Sequence, residues 1–280
     1  MKKWAIFSDV DGTIYPFPSK ELTKENVSKI HEVVEKGIPF IINTGNGPYP
    51  KIQNLAEKVH SRYIICSNGA LIFDNQTKEI LHIEYLPQEE AKKVWELADE
   101  LGLGLYYFGT HKYYLKGADD RFRKFISDFC EYTDWIETGE IPSDLHKIES
   151  YGPLELVDKF CELAEQRGIN LNIVNLKSHI EITKAGVSKG SGIKWVCDNL
   201  LNASVDDVMA IGDSQNDISM FKTAGYTYAM ENTDSYSRTF AKYFTSTVEQ
   251  NGLAEAIDDY LYRSDFELKR AISQGLKKNK

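Results

Sequence analysis

The sequence lacks the features that mark several common protein classes. It has no run of about 18 consecutive apolar residues, so we expect no transmembrane helix. The N-terminus carries two lysines but no long apolar segment, which predicts no signal peptide. The net charge of −9 argues against a nucleic-acid partner, since such binding needs clustered Lys and Arg. These absences predict a cytoplasmic protein with neither a membrane nor a nucleic-acid partner.

Motifs for common metals and cofactors are also missing. The four cysteines form no Cys-x-x-Cys pair and have no histidine spacing typical of zinc, so we expect reduced, mostly buried thiols. No Gly-x-Gly-x-x-Gly follows a predicted strand, so a dinucleotide cofactor is not indicated. The segment 186–190 does not match the nucleotide-binding phosphate loop, because its lysine precedes the second glycine.

What the chain does contain is an alternation of strands and helices. A short buried strand at 4–7 leads to a helix that begins near Thr23 and ends at Gly37. The apolar run 38–43 is typical of a strand buried on both faces, and a second helix and a strand ending at Cys66 follow. This β-α-β-α-β order predicts a parallel sheet with helices on both sides.

The pattern changes in the middle of the chain and then returns. Residues 84–184 combine helices with hairpin-like strands, which predicts a separate α+β module with an antiparallel sheet. From Val187 onward the βα rhythm resumes, although 264–280 is weakly patterned and ends in a basic tail that we expect to be solvated. The predicted fold class is therefore α/β, with a doubly wound parallel sheet in one domain of 1–83 and 185–280 and an inserted domain of 84–184.

Polar side chains follow three of the predicted strands. Asp9 and Asp11 come after the first strand, Thr44 after the second, and Asp213 and Asp217 after the strand at 206–212. On its own the Asp-x-Asp pair would favour an acidic surface turn over a functional site.

If the strands are parallel, however, all these side chains share one edge of the sheet. Four carboxylates there would repel one another unless a cation intervened. A bound Mg²⁺ together with Lys189 would resolve that repulsion.

These residues carry a resemblance to a known family. The segments Asp9–Thr13, Thr44-Gly45, Lys189 and 212–217 resemble the four ordered motifs of the haloacid dehalogenase (HAD) superfamily of phosphohydrolases. The chain length, the Ser-Asn-Gly-Ala turn at 67–70 and the position of the insertion resemble the Cof-type branch, which carries a large α/β cap. The resemblance covers nearly the whole chain and implies a Rossmann-like core with an inserted cap domain.

The resemblance implies catalytic roles for three residues. Asp9 would be the nucleophile that forms an aspartyl-phosphate, and Asp11 would be the general acid and base. Lys189 would bind and neutralise the phosphoryl group.

The resemblance also implies two sets of binding residues. Mg²⁺ would be held by Asp9, the backbone carbonyl of Asp11, and Asp213, with support from Asp217. The residues that would bind phosphoryl oxygens are Gly12, Thr44, Gly45, Lys189 and Asn216.

The implied activity is a Mg²⁺-dependent phosphatase acting on phosphomonoesters of small metabolites, with sugar phosphates expected by resemblance. Two alternatives stay open: a sugar-phosphate mutase of the same superfamily, and an inactive relative that binds a ligand or regulates. One departure concerns Asn46, where relatives often have Arg. Either the loss of this Arg alters the substrate type or affinity, or Asn46 is simply a loop residue.

Overall fold

The structure is a computed structural model, and it describes residues 4–274 of the chain. The basic tail that was expected to be solvated, at 276–280, lies outside the described residues. The strands are β1 (Ile6–Ser8), β2 (Phe40–Asn43), β3 (Tyr63–Cys66), β4 (Leu71–Asp74), β5 (Glu79–Ile83), β6 (Gly104–Phe108), β7 (Tyr113–Lys116), β8 (Trp135–Glu137), β9 (Lys147–Tyr151), β10 (Leu171–Asn175), β11 (His179–Lys184), β12 (Met209–Gly212), β13 (Tyr226–Ala229) and β14 (Tyr243–Phe244). The α-helices are α1 (Lys24–Glu35), α2 (Pro50–Lys58), α3 (Gln88–Leu101), α4 (Asp120–Cys130), α5 (Leu154–Gln166), α6 (Lys189–Val196), α7 (Ile218–Phe221), α8 (Ser235–Arg238) and α9 (Gly252–Ser273).

The chain divides into two compact units, each built from separate stretches of sequence. The first unit comprises 1–43, 56–62 and 193–280, and the second comprises 44–55 and 63–192. These bounds differ from those of the predicted core and cap, because residues 44–55, 63–83 and 185–192 of the predicted core fall in the second unit. The predicted domain assignment stays a prediction.

The first unit contains the parallel sheet, with strand order β14-β13-β12-β1-β2. Each neighbouring pair in this set runs parallel. The side chains of β1, β2 and β12 are all buried, as expected for parallel strands covered on both faces. Helix α1 begins as predicted after Thr23, whose hydroxyl accepts a hydrogen bond from the Asn26 amide.

The second unit contains the antiparallel part of the fold. Strands β3, β4 and β5 pair antiparallel. The dipeptides Asn68-Gly69 and Asp74-Asn75, both typical of turns, predict this pairing. A six-stranded sheet with order β10-β11-β9-β6-β7-β8 follows, in which only the β7–β8 pair is parallel among the described strands. The predicted α/β class with a parallel-sheet core and an added α+β part is confirmed.

Side chains alternate along a strand, which predicts that every second tyrosine of the aromatic hairpin β6–β7 faces outward, but the neighbours Tyr106 and Tyr107 are both buried. Tyr107 lies in a core cluster with residues of α3 and α5. Tyr106 and Tyr113, on the other face of the sheet, are buried in a second cluster with Tyr49. Both faces of this hairpin are therefore covered, one by α3 and α5 and the other by α4 together with Tyr49.

Three of the four cysteines, Cys66, Cys130 and Cys197, are buried, and none of the four forms a disulfide. This agrees with the expected reduced thiols. Within residues 4–274, no helix is both long and apolar enough to cross a membrane.

Candidate active site

The site begins with two neighbouring parallel strands that end at the same level. Strands β1 and β12 are paired with Ser8 opposite Ile211, and the Asp9 amide donates to the Ile211 carbonyl over 3.0 Å. Asp9 and Asp213 are thus the residues that leave adjacent strand ends. This confirms the predicted arrangement for β1 and β12, the strands that carry the aspartate motifs.

A tight turn after β12 brings Asp217 back to the same place. The Asp217 carboxylate accepts hydrogen bonds from the backbone N–H groups of Asp213, at 2.8 Å, and Ser214, at 3.0 Å. It is fully buried, and Gly212 leaves the space for it, since a Cβ there would lie 2.3 Å from the Asp217 carboxyl carbon. Asp217 therefore shapes the turn that presents Asp213.

Three carboxylates converge in this part of the first unit. Asp9, Asp213 and Asp217 each offer a carboxylate oxygen, and these oxygens lie within 4.8 Å of one another. Asp9 is only 7% exposed, so its charge has little access to solvent. Like charges held this close are unfavourable unless a cation or hydrogen-bond donors balance them. An all-oxygen donor set of this kind suits Mg²⁺.

The Asp11 side chain does not belong to this group of carboxylates within the described residues. Asp11 is partly buried in the turn after β1, where it forms a bridge with Tyr15. Its contribution to the metal through its backbone carbonyl, and its role as general acid and base, stay predictions.

Gly12 and Asn232 line the Asp213 carboxylate. Gly12 has a φ of +84°, and a Cβ at this position would lie 2.2 Å from Asp213 Oδ2. The Asn232 side-chain amide donates to Asp213 Oδ2 over 2.6 Å and to the Gly12 carbonyl over 3.2 Å. Sequence reasoning identified Gly12 but missed Asn232, which lies in the loop after β13 with no motif around it.

Asn216 lies in the turn between Asp213 and Asp217. Its side-chain oxygen accepts a 2.8 Å hydrogen bond from the Ser214 hydroxyl, and its carbonyl accepts one from Ser219. These contacts hold the turn together. The predicted contact of Asn216 with phosphate stays a prediction.

The predicted phosphate-binding residues Thr44, Gly45 and Lys189 belong to the second unit. Thr44 directly follows β2 in the chain, and its hydroxyl oxygen accepts hydrogen bonds from the Asn46 backbone amide at 3.1 Å and the Asn46 side chain at 3.3 Å. A hydroxyl that accepts two hydrogen bonds keeps its own proton for donation to a further acceptor. Asn46 is buried and donates both of these hydrogen bonds to the Thr44 hydroxyl, and the two interpretations of this residue stay predictions.

The turn at 67–69 connects Thr44 with the helix that carries Lys189. The Asn68 amide donates to the Thr44 carbonyl over 3.1 Å. Gly69 has a φ of +90°, and a Cβ there would lie 2.1 Å from the carbonyl oxygen of Ser188. Lys189, the first residue of α6, is 1% exposed. Thr44 and Lys189 thus adjoin the same turn.

The backbone of this turn is unusual. Ser67 and Asn68 have φ values of 51° and 52°, so three consecutive residues adopt positive φ. Non-glycine residues in this conformation are uncommon and cluster at functional sites. The sequence indicated a turn at 67–70 but gave no sign that it would be buried beside Thr44.

A family model described as haloacid dehalogenase-like hydrolase matches residues 6–257. The putative phosphatase YxeH of Bacillus subtilis is 24% identical over 272 residues, which cover 91% of this chain and 97% of the relative. The 5-amino-6-(5-phospho-D-ribitylamino)uracil phosphatase YcsE of the same organism is 27% identical over 259 residues, covering 90% and 93%.

A solved structure shows the same fold. A sugar phosphatase of HAD subclass IIB superposes with a TM-score of 0.82 at 20% sequence identity, covering 93% of this chain and 99% of the other. Since identity is low, this likeness concerns the fold, including the parallel core and its added α+β part.

Proposed function

Because the chain belongs to the haloacid dehalogenase-like hydrolase family, we propose that it is a Mg²⁺-dependent phosphatase of small phosphorylated metabolites. The predicted Cof-type family and the phosphatase class are both confirmed. The observation that carries the proposal is the group of three converging carboxylates, Asp9, Asp213 and Asp217.

The proposed reaction proceeds in two displacements at phosphorus. A carboxylate oxygen of Asp9 attacks the phosphorus, the bond to the leaving oxygen breaks, and Asp11 gives that oxygen its proton. Asp11 then takes a proton from water, whose oxygen attacks the aspartyl-phosphate and releases inorganic phosphate and the Asp9 carboxylate. Proton transfer through Asp11 in both directions restores the enzyme.

The binding residues divide between metal and phosphoryl group. Mg²⁺ would be held by Asp9, Asp213 and the Asp11 carbonyl, and would offset the repulsion between the nucleophile and an anionic substrate. Thr44 donates its hydroxyl proton to a phosphoryl oxygen, Lys189 supplies a positive charge, and Gly12, Gly45 and Asn216 contribute further polar contacts. The Thr44 hydroxyl accepts two hydrogen bonds from Asn46 and so keeps its own proton for donation, which supports this role.

Sugar phosphates and related polyol phosphates are the proposed substrates. The support is that YcsE acts on a phosphoribityl compound and that the subclass IIB structure is a sugar phosphatase. The leaving group would then be a hydroxyl of a polar carbon chain. We propose a cytoplasmic location, where such metabolites are found.

A phosphate-release screen with Mg²⁺ over a panel of phosphometabolites tests the proposal. The wild type should release inorganic phosphate, and Asp9→Asn should lose more than about 10³-fold in turnover while retaining its fold. The exposed Asp198→Asn serves as the matched control in the same unit and should keep full activity. After an acid quench, mass spectrometry should find the phosphoryl group on the peptide that contains Asp9.

Other outcomes would contradict the proposal in distinct ways. An isomerised phosphosugar without free phosphate would identify a mutase. A folded wild type that releases no phosphate from any substrate, including a generic aryl phosphate, would indicate a ligand-binding or regulatory protein.

A further inference from the structure

A buried lysine lies beside the Thr44–Gly45 turn. Lys147 is the first residue of β9, and its side chain is completely buried. Its ammonium contacts Glu149 Oε1 at 2.5 Å and Glu181 Oε1 at 2.6 Å. Glu149 and Glu181 stand directly opposite each other on β9 and β11, and both are buried. Two carboxylates so placed repel each other, and the ammonium is what makes their positions compatible.

The third proton of this ammonium reaches a different segment. Lys147 Nζ donates a 2.6 Å hydrogen bond to the Gly45 carbonyl. All three donors of the ammonium are therefore occupied, one by the turn and two by glutamates. Because every N–H of the Lys147 ammonium already has an acceptor, Lys147 holds the turn but has no donor left to bind a ligand.

The fit of Gly45 against this cluster leaves no room for a side chain. A Cβ at position 45 would lie 2.5 Å from Glu181 Oε1 and 3.3 Å from Lys147 Nζ. Asn68 closes the remaining side: its side-chain amide donates to Glu181 Oε2 over 2.8 Å, and its oxygen lies 3.2 Å from the same Cβ position. Glycine at 45 is thus required by space, since its backbone has no left-handed φ.

The charges of the cluster sustain this contact. Burial lowers the pKa of Lys147, but the charges of Glu149 and Glu181 outweigh burial and raise it above its usual value. Burial raises the pKa of Glu181, and the nearby Lys147 ammonium reverses this and holds it well below its usual range. A pKa above the usual lysine value keeps Lys147 protonated at neutral pH.

The contact acts on one particular peptide group. In a planar trans peptide the C=O and N–H point in opposite directions. For the peptide between Gly45 and Asn46, Lys147 holds the C=O and the Thr44 hydroxyl oxygen accepts from the N–H. The ammonium fixes one end of a rigid plane whose other end orients the Thr44 hydroxyl.

We propose that Lys147 is a positioning residue for phosphate binding, acting through the Gly45–Asn46 peptide on the Thr44 hydroxyl. This rests on the proposed function, in which Thr44 and Gly45 bind the phosphoryl group. Glu149 and Glu181 in turn hold Lys147. Lys147 belongs to the predicted inserted domain, whereas the Thr44–Gly45 turn belongs to the predicted core. A residue of the inserted domain would thus set the geometry of a turn in the core.

The test compares Lys147→Met with the control Lys92→Met, which removes an exposed lysine from α3. Both are assayed for phosphate release with an aryl phosphate and Mg²⁺, and for inhibition by inorganic phosphate. Lys147→Met should raise KM and the phosphate Ki together by about tenfold, with kcat nearly unchanged, because the turn contacts the phosphoryl group in ground and transition states alike. Lys92→Met should leave all three constants unchanged.

A second variant and a second measurement keep the proposal falsifiable. Lys147→Met leaves two buried carboxyl groups without their cation. If this variant does not fold, Lys147→Met/Glu181→Gln replaces it, because the double variant keeps the wild-type net charge of the cluster. Hydrogen exchange of the peptide covering 44–47 should be faster in either variant. If the wild type is active and a folded variant shows unchanged KM, Ki and hydrogen exchange, the proposed role of Lys147 is overturned while the proposed function is not. A wild type that releases no phosphate overturns the proposed function and this proposal together.

Discussion

The side-chain amide of Asn232 donates a 2.6 Å hydrogen bond to Oδ2 of Asp213. The same amide reaches the carbonyl of Gly12, so one side chain links the turn after β1 to the carboxylate after β12. A carboxylate oriented by a fixed donor is better prepared for a metal than one that must be ordered on binding.

Asn232→Ala should therefore weaken metal binding while sparing the fold. We expect the Mg²⁺ concentration for half-maximal activity to rise by about tenfold or more, the range seen when partners of metal ligands are removed. Activity titrated against Mg²⁺ measures this, with Asn199→Ala, an exposed asparagine elsewhere, as the control. An unchanged Mg²⁺ titration would refute a role for Asn232.

Gly12→Ala should have two effects, strain in the left-handed backbone and a steric clash of the new Cβ. A second glycine variant separates them. Gly12 and Gly37 both have a φ near +80°, but a Cβ at Gly37 has nothing within 4 Å, whereas one at Gly12 meets Asp213 Oδ2. Both alanine variants should lose about 1–2 kcal/mol of stability from the left-handed backbone. Only Gly12→Ala should lose activity, by at least about a hundredfold.

Thermal unfolding and kcat/KM of the two variants check this prediction. Equal activity in Gly12→Ala and Gly37→Ala would show that the Asp213 carboxylate can move aside without consequence.

His146 makes stability depend on pH. Burial, followed by the nearby Lys147 charge, lowers the pKa of His146 from 6.5 to about 3. The folded protein then binds fewer protons than the unfolded chain between these pH values, so stability is retained above pH 6.5 and is lost as the pH falls toward 3. The His146 contribution to this loss is at most about 1.4 kcal/mol per pH unit.

Urea unfolding between pH 4.5 and pH 7 measures this slope. In His146→Gln the unfolding free energy should change less steeply with pH, by the equivalent of up to one bound proton. The exposed His111→Gln should match the wild type. His179, whose pKa burial also lowers, should sustain part of the slope in the variant. A slope identical to the wild type would contradict the neutral, buried state of His146.

Much of the acidic group could be predicted because strand ends are visible in the sequence. Buried apolar runs end directly before Asp9 and Asp213, and parallel pairing puts such ends at one edge. Asn232 could not be predicted, because its contact depends on the path of the loop after β13. The short strands β8 and β14 were also missed, since each has too few residues to show a period.

The cluster of Lys147, Glu149 and Glu181 could not be predicted from the sequence for a different reason. Lys147, Ile148 and Glu149 alternate as polar, apolar and polar, the pattern of a strand with one solvated face. In the structure that polar face is buried, because Lys147 contacts Glu181 and the Gly45 carbonyl of other segments. Glu149 accepts hydrogen bonds from Lys147 and Tyr151 of its own strand. Pairing between residues as distant as Lys147 and Gly45 leaves no trace in local periodicity.

The pairing of β1 with β12 also has a consequence for synthesis. The two aspartates that follow these strands are about 200 residues apart, and at typical rates of translation β12 emerges roughly 10–40 s after β1. During that interval β1 can pair with β2, but its other edge has no native neighbour. A nascent or truncated chain that ends before residue 209 lacks Asp213 and Asp217, so it cannot assemble the group of three carboxylates.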